Sequence, residues 1–86
     1  MSADSEVAVL FADVVGSTRL YEVLGDLKAR DMVVRCVDLM RAATNRNRGT
    51  VIKTIGDEIL SIFPTASDAV NAAAEMQHDI SVHPEL

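Results

Sequence analysis

One cysteine, two prolines, four glycines and no tryptophan leave this 86-residue chain short of several common structural devices. A lone Cys36 cannot close an internal disulfide, so cysteine usage gives no sign of an oxidising compartment. Phe11, Tyr21 and Phe63 are the aromatic residues, which leaves valine, leucine, isoleucine, alanine and methionine to build the core. Positive charge is scarce as well: eight Lys and Arg against thirteen Asp and Glu give a formal net charge of −5. That balance argues against a general nucleic-acid binder, which must displace counterions from phosphates with basic groups. Long apolar runs are missing, because residues 7–12 are broken by Asp13 well short of the roughly 18 residues of a membrane span. Residues 1–6 carry neither the basic nor the apolar region of a signal peptide. These absences predict a soluble, cytoplasmic domain with no membrane segment and no nucleic-acid partner.

What remains is an ordinary globular composition, 49% apolar and 24% charged, too apolar for a disordered chain. The length allows one domain at most. Residues 7–12, Val-Ala-Val-Leu-Phe-Ala, are β-rich and do not alternate, which predicts a strand buried on both faces. Ser17 and Thr18 are good N-cap types ahead of a helical stretch over residues 19–24. Gly25-Asp26 interrupts it, with Asp26 placed to cap the next helix. Over residues 27–45, Ala29, Val33, Cys36, Val37, Met40 and Ala43 recur at steps of three and four, one apolar stripe of a helix. Gly49 or a neighbouring asparagine is expected to take positive φ at its end. Residues 50–55 and 58–63 are rich in β-branched and apolar side chains and flank Gly56-Asp57, which predicts a hairpin. Thr65 and Asp68 have capping-box spacing before a helix over residues 66–82, with Ala69, Val70, Ala73, Met76 and Ile80 on its inner face.

The resulting order, β-α-α-β-β-α, predicts an α+β domain. A helical crossover makes the first two strands parallel, and the third inserts between them to give a ferredoxin-like split βαβ sheet with helices on one face. One further strand, expected beyond Leu86, would complete it. Parallel strands put their C-terminal ends at the same sheet edge, so Asp13 and Asp57 converge there. Adjacent carboxylates call for a proton or a cation, and Mg²⁺ commonly uses one or two carboxylates together with substrate phosphates. Beside Asp13, Gly16-Ser17-Thr18 opens a helix whose N–H groups and dipole favour a phosphate. Taken singly, each of these residues is an ordinary turn or cap. Together they describe a nucleoside-triphosphate pocket.

Two segments resemble a known family. Phe11-Ala12-Asp13-Val14-Val15-Gly16-Ser17-Thr18 is similar to the first signature of class III adenylate and guanylate cyclases. Gly49-Thr50-Val51-Ile52-Lys53-Thr54-Ile55-Gly56-Asp57-Glu58 is similar to the second. The resemblance extends from about residue 7 to residue 77 and identifies the chain as the N-terminal part of such a catalytic domain. It implies that Asp13 and Asp57 bind two ions, Mg²⁺ or Mn²⁺, with the main-chain carbonyl of Val14 as a further ligand. Val15, Gly16, Ser17 and Thr18 would face the β- and γ-phosphates. Lys53 would select the purine, lysine suiting adenine, whose ring nitrogen accepts a hydrogen bond. The implied reaction converts ATP to cyclic AMP and pyrophosphate in a homodimer.

The resemblance also implies residues that residues 1–86 do not supply, a second purine contact and an Asn/Arg pair acting on the transition state, so this segment alone is expected to have little activity. The alternative is a non-catalytic nucleotide-binding or dimerisation module. A diguanylate-cyclase-like palm, suggested by Gly56-Asp57-Glu58, is disfavoured by Ile55 where a second glycine would stand. His78 and His83 miss the i, i+4 spacing of paired metal ligands. Cys36 reads as a buried small hydrophobe. Glu58 is expected on the sheet face opposite Asp57, and Arg41, Arg46 and Arg48 as a solvated helix end.

Overall fold

A computed structural model describes residues 7–14 and 16–83. The elements run β1 (Ala8–Asp13), α1 (Ser17–Leu24), α2 (Asp26–Arg46), β2 (Thr50–Ile55), β3 (Glu58–Phe63) and α3 (Ala66–Ser81). Among these residues the strands form one sheet in the order β1-β3-β2. Both β1 and β2 run antiparallel to the central β3, so they are parallel to one another.

The core lies between the sheet and α2 and α3. Every residue of the apolar stripe of α2 is buried, and Val33, Val37, Met40 and Ala43 of it pack with Ile59 and Phe63 of β3 and with Ala69, Ala72 and Met76 of α3. On α3 the inner face is rotated from the expectation: Ala72 is fully buried whereas Val70 is 67% exposed. Two polar groups sit inside this core. Thr44 donates its hydroxyl proton to the Met40 carbonyl at 2.9 Å, which leaves Ser61 to donate to Thr44 across 3.3 Å. Both hydroxyls are thereby satisfied, removing the penalty of burial.

β1 is not buried on both faces. Ala8, Leu10 and Ala12 pack on the core, while Val9 and Phe11 are 58% and 68% exposed. The helices cover one side of the sheet, so the apolar run holds two different sets of side chains, which hydropathy alone cannot separate. β2 contains a β-bulge between Val51 and Lys53: Val51 pairs with Ser61, Lys53 with Leu60, and Ile52 is the extra residue. In a regular ladder Lys53 would lie opposite the buried Ile59; the bulge shifts it to the face shared by Leu60, as bulges commonly re-aim side chains.

The helix ends depart from the sequence reading in three places. Asp26 is the first residue of α2 and makes no cap hydrogen bond; Gly25 stands at the N-cap. Asp26 still places an acid in the first turn, where the helix dipole favours it. At the C-terminal end of α2 the positive φ falls on Arg48, at 65°, rather than on Gly49 or an asparagine. Arg48 and Arg46 are ion-paired, not simply solvated: Arg48 donates to Asp68 at 2.7 Å, and Arg46 to Glu75 at 2.9 Å and Asp79 at 2.7 Å. These pairs tie the end of α2 to α3. At the start of α3 the Thr65 hydroxyl accepts the Asp68 N–H at 3.1 Å, as capping-box spacing predicts.

Candidate active site

β1 ends at Asp13, whose Cα partner across the ladder is Glu58. The same register continues one step further, where Val14 N–H donates to the Asp57 carbonyl at 3.1 Å. Asp57 occupies the second position of the two-residue turn between β2 and β3. Gly56 precedes it with φ 57°, the positive φ that primed hairpin turns require at their first central position. Hairpin geometry and ladder register therefore bring Asp13 and Asp57 to adjacent rungs of one sheet edge, although they are far apart in the chain.

Their side chains meet different surroundings. Asp13 is exposed and borders a cleft of about 540 Å³ whose lining includes Val14, Gly16, Arg19, Leu20, Met40 and Ile80. Asp57 is half-buried and borders a second cleft, about 480 Å³, with Ser17, Thr18, Tyr21 and Arg30. Its Oδ2 accepts a hydrogen bond from the Ser17 hydroxyl at 2.5 Å.

The segment between the clefts opens α1. Gly16 is the N-cap, in the left-handed region at φ 80°, and no side chain caps the helix. Ser17 is thus a helical residue whose hydroxyl goes to Asp57, not the cap expected from its type. The first turn of α1 contains no acidic residue, so no carboxylate from within that turn offsets the positive end of its dipole. Thr18 lies beside Asp57 on the second cleft. Val15, expected to face a phosphate, lies outside the described residues.

Lys53 is exposed and shares a row across the uncovered sheet face with Leu60 and Phe11. The next row toward the hairpin holds Ile55, Glu58 and Asp13. An apolar strip with one ammonium therefore adjoins an acidic edge, an arrangement able to receive a flat base at one end and charge-neutralised phosphates at the other. Glu58 shares the face of Asp13. Its like charge directly across the ladder is unfavourable unless a cation intervenes. Sequence reasoning missed this pairing, as well as Arg19 and Arg30 at the two clefts; the alternation of residues 57 and 58 was the available signal for Glu58.

The donors at this edge are hard oxygens. Among the described residues no group of three or more His, Cys, Asp and Glu side chains is placed to hold a metal ion. Carboxylate and carbonyl oxygens are the donor types a divalent cation such as Mg²⁺ takes alongside water and substrate phosphate, though Asp13 and Asp57 border different clefts. Cys36 borders the first cleft, but burial pushes its thiol above the ordinary range despite the nearby Arg35. A thiol so raised is a poor source of the nucleophilic thiolate. No helix among the described residues is long and apolar enough to cross a membrane.

A search of curated proteins found no match. The family model for the adenylate and guanylate cyclase catalytic domain matches residues 1–83, a span that takes in both carboxylates, the start of α1, the bulged strand and α3. With nearly its whole length covered by that match, the chain belongs to the adenylate and guanylate cyclase catalytic domain family.

Proposed function

We propose that this chain supplies the metal and phosphate side of an adenylate cyclase active site, acting within a complete domain that pairs with a second copy. Cyclase catalytic domains bind a nucleotide substrate and usually dimerise. The observation that carries the proposal is the end of the β1–β3 ladder, where adjacent rungs hold Asp13 and Asp57 beside the N-terminus of α1. The ferredoxin-like reading of the sheet accounts for that convergence, because it requires β1 and β2 to be parallel.

In this proposal Asp13, Asp57 and the Val14 carbonyl hold two divalent cations, Mg²⁺ or Mn²⁺. Bound there, such cations supply neutralisation of the triphosphate and a lowered pKa for the ribose 3′-hydroxyl. N–H groups of residues 15–18 bind β- and γ-phosphate oxygens with the help of the α1 dipole. Lys53 donates to a ring nitrogen of adenine while Phe11 and Leu60 cover the base. The 3′-oxygen attacks the α-phosphorus, the bond to the pyrophosphate oxygen breaks, and the hydroxyl proton passes to solvent. The protein's contribution is alignment and charge complementarity more than side-chain proton transfer.

The test is turnover by the native-length protein with Mn²⁺, offered ATP and GTP separately. Cyclic AMP formation that is abolished by both Asp13→Asn and Asp57→Asn is the expected result. Full activity in either variant contradicts the assignment, and metal-dependent ATP binding without any turnover assigns the chain to a regulatory module instead.

A further inference from the structure

We propose that Ser17 is a positioning residue that orients the Asp57 carboxylate for the cation, an inference that rests on the metal reading above. A serine at the start of a helix ordinarily spends its hydroxyl on a backbone N–H of the first turn. Here α1 has no side-chain cap, and the Ser17 hydroxyl reaches the Asp57 Oδ2 instead, at 2.5 Å. That distance is typical of a charge-assisted O–H···O⁻ bond, roughly twice as strong as a neutral one. The pair is partly shielded from water, which further limits competition by solvent.

Asp57 is held a second time through its main chain, by the Val14 N–H at 3.1 Å. The two grips start from opposite ends of the short segment that joins β1 to α1. One fixes the backbone of the turn and the other fixes the rotation of the carboxylate. Oδ2 keeps one lone pair once Ser17 has used the other, and Oδ1 accepts no side-chain hydrogen bond among the described residues, so the carboxylate can still act as a ligand. What Ser17 removes is rotational freedom that a cation would otherwise have to freeze. Asp13 is the exposed member of the pair, so the site combines one pre-oriented carboxylate with one that adjusts.

Partners that orient a metal ligand are worth about 10- to 100-fold in metal affinity. The experiment is an electron paramagnetic resonance titration of the full chain with Mn²⁺ alone, comparing the natural sequence with Ser17→Ala, Ser17→Thr and Asp57→Asn. Thermal melts and circular dichroism verify that each variant is folded. In the metal-free state the Asp57 carboxyl ¹³C resonance is followed as well. The expected result is Mn²⁺ affinity reduced about 10-fold or more in Ser17→Ala, restored in Ser17→Thr, with the Asp57 resonance moved only in the alanine variant. Equal affinity in the natural and Ser17→Ala chains overturns the positioning role and leaves the metal reading standing. No Mn²⁺ binding by the natural chain, or binding unaffected by Asp57→Asn, overturns both.

Discussion

Gly49 lies flush against the ring of Phe63. A β-carbon at position 49 would come within 2.7 Å of the Phe63 Cδ2 and within 2.7 Å of the Thr44 Cγ2, closer than real atoms pack. Phe63 is 1% exposed and Thr44 fully buried, so neither side chain has room to withdraw. The glycine is therefore required by close approach rather than by positive φ. Gly49→Ala should destabilise the fold by about 1–3 kcal/mol, the usual cost of overpacking a filled core. Chemical denaturation measures it; an unchanged midpoint would mean that Phe63 can turn away.

Arg48, the neighbour that does take positive φ, is bound to Asp68 at 2.7 Å. That hydrogen bond holds the Asp68 carboxyl below its ordinary range, with the Thr65 hydroxyl assisting. A carboxyl depressed in the folded state stabilises the fold above its unfolded pKa of about 4 and loses that contribution as pH falls through the lower folded value. Arg48→Ala keeps an L residue at the same φ, so backbone strain is common to both proteins. The advantage of the natural chain over Arg48→Ala should be present at pH 7, decline below about pH 4, and shrink in high salt. Thermal melts across pH give the comparison, and a difference that persists undiminished into strong acid would exclude Asp68 as its source.

Cys36 offers a check on the wall of the first cleft. It is 5% exposed and its thiol is raised by burial. A disulfide reagent at pH 8 should modify it far more slowly than an unfolded control, because both thiolate fraction and access are reduced. Rapid modification of the folded chain would show that α1 lifts away from α2 on the timescale of the reaction.

How much of this could be read from the residues depended on whether the signal was local. The α2 stripe was legible because steps of three and four have one physical reading, and the hairpin because Gly56-Asp57 sits between two β-rich runs. That the backbone at Asp13 and Asp57 meets at one end of the sheet followed from strand direction alone; that their side chains border different clefts did not. What escaped was set by contacts between elements. Nothing local marks Ile52 as a bulge, so the face of Lys53 was hidden. The hydroxyl of Ser17 had two partners open to it, its own helix and a turn distant in sequence, and composition favours the first. The burial of Ala72 in place of Val70 reflects the docking angle of α3, which periodicity does not specify.

Asp13 faces Glu58 across the ladder, and like charges directly opposite are destabilising. Asp13→Asn should therefore raise the metal-free melting temperature slightly. If a cation is what the natural pair awaits, added Mn²⁺ should stabilise the natural chain and leave Asp13→Asn nearly unmoved. Equal stabilisation of both would place the cation elsewhere.

Lys53 gives the most direct test of nucleotide choice. The bulge at Ile52 sets it beside Leu60 and Phe11 on the uncovered face, where its ammonium can only donate. Adenine presents a ring-nitrogen acceptor at its Watson–Crick edge, whereas guanine presents N–H donors there. Lys53→Glu reverses the polarity of this one contact and leaves the carboxylates and the start of α1 in place. Sites built on a polar contact reject the wrong partner far more strongly than apolar pockets do, because a buried group is left unpaired. At an open sheet face the effect is smaller, so about a 10-fold fall in the ATP-to-GTP affinity ratio is expected. Competition between the two nucleotides on the native-length protein reads that ratio directly. A ratio unchanged by Lys53→Glu assigns Lys53 to solvent and moves base recognition to residues other than this one.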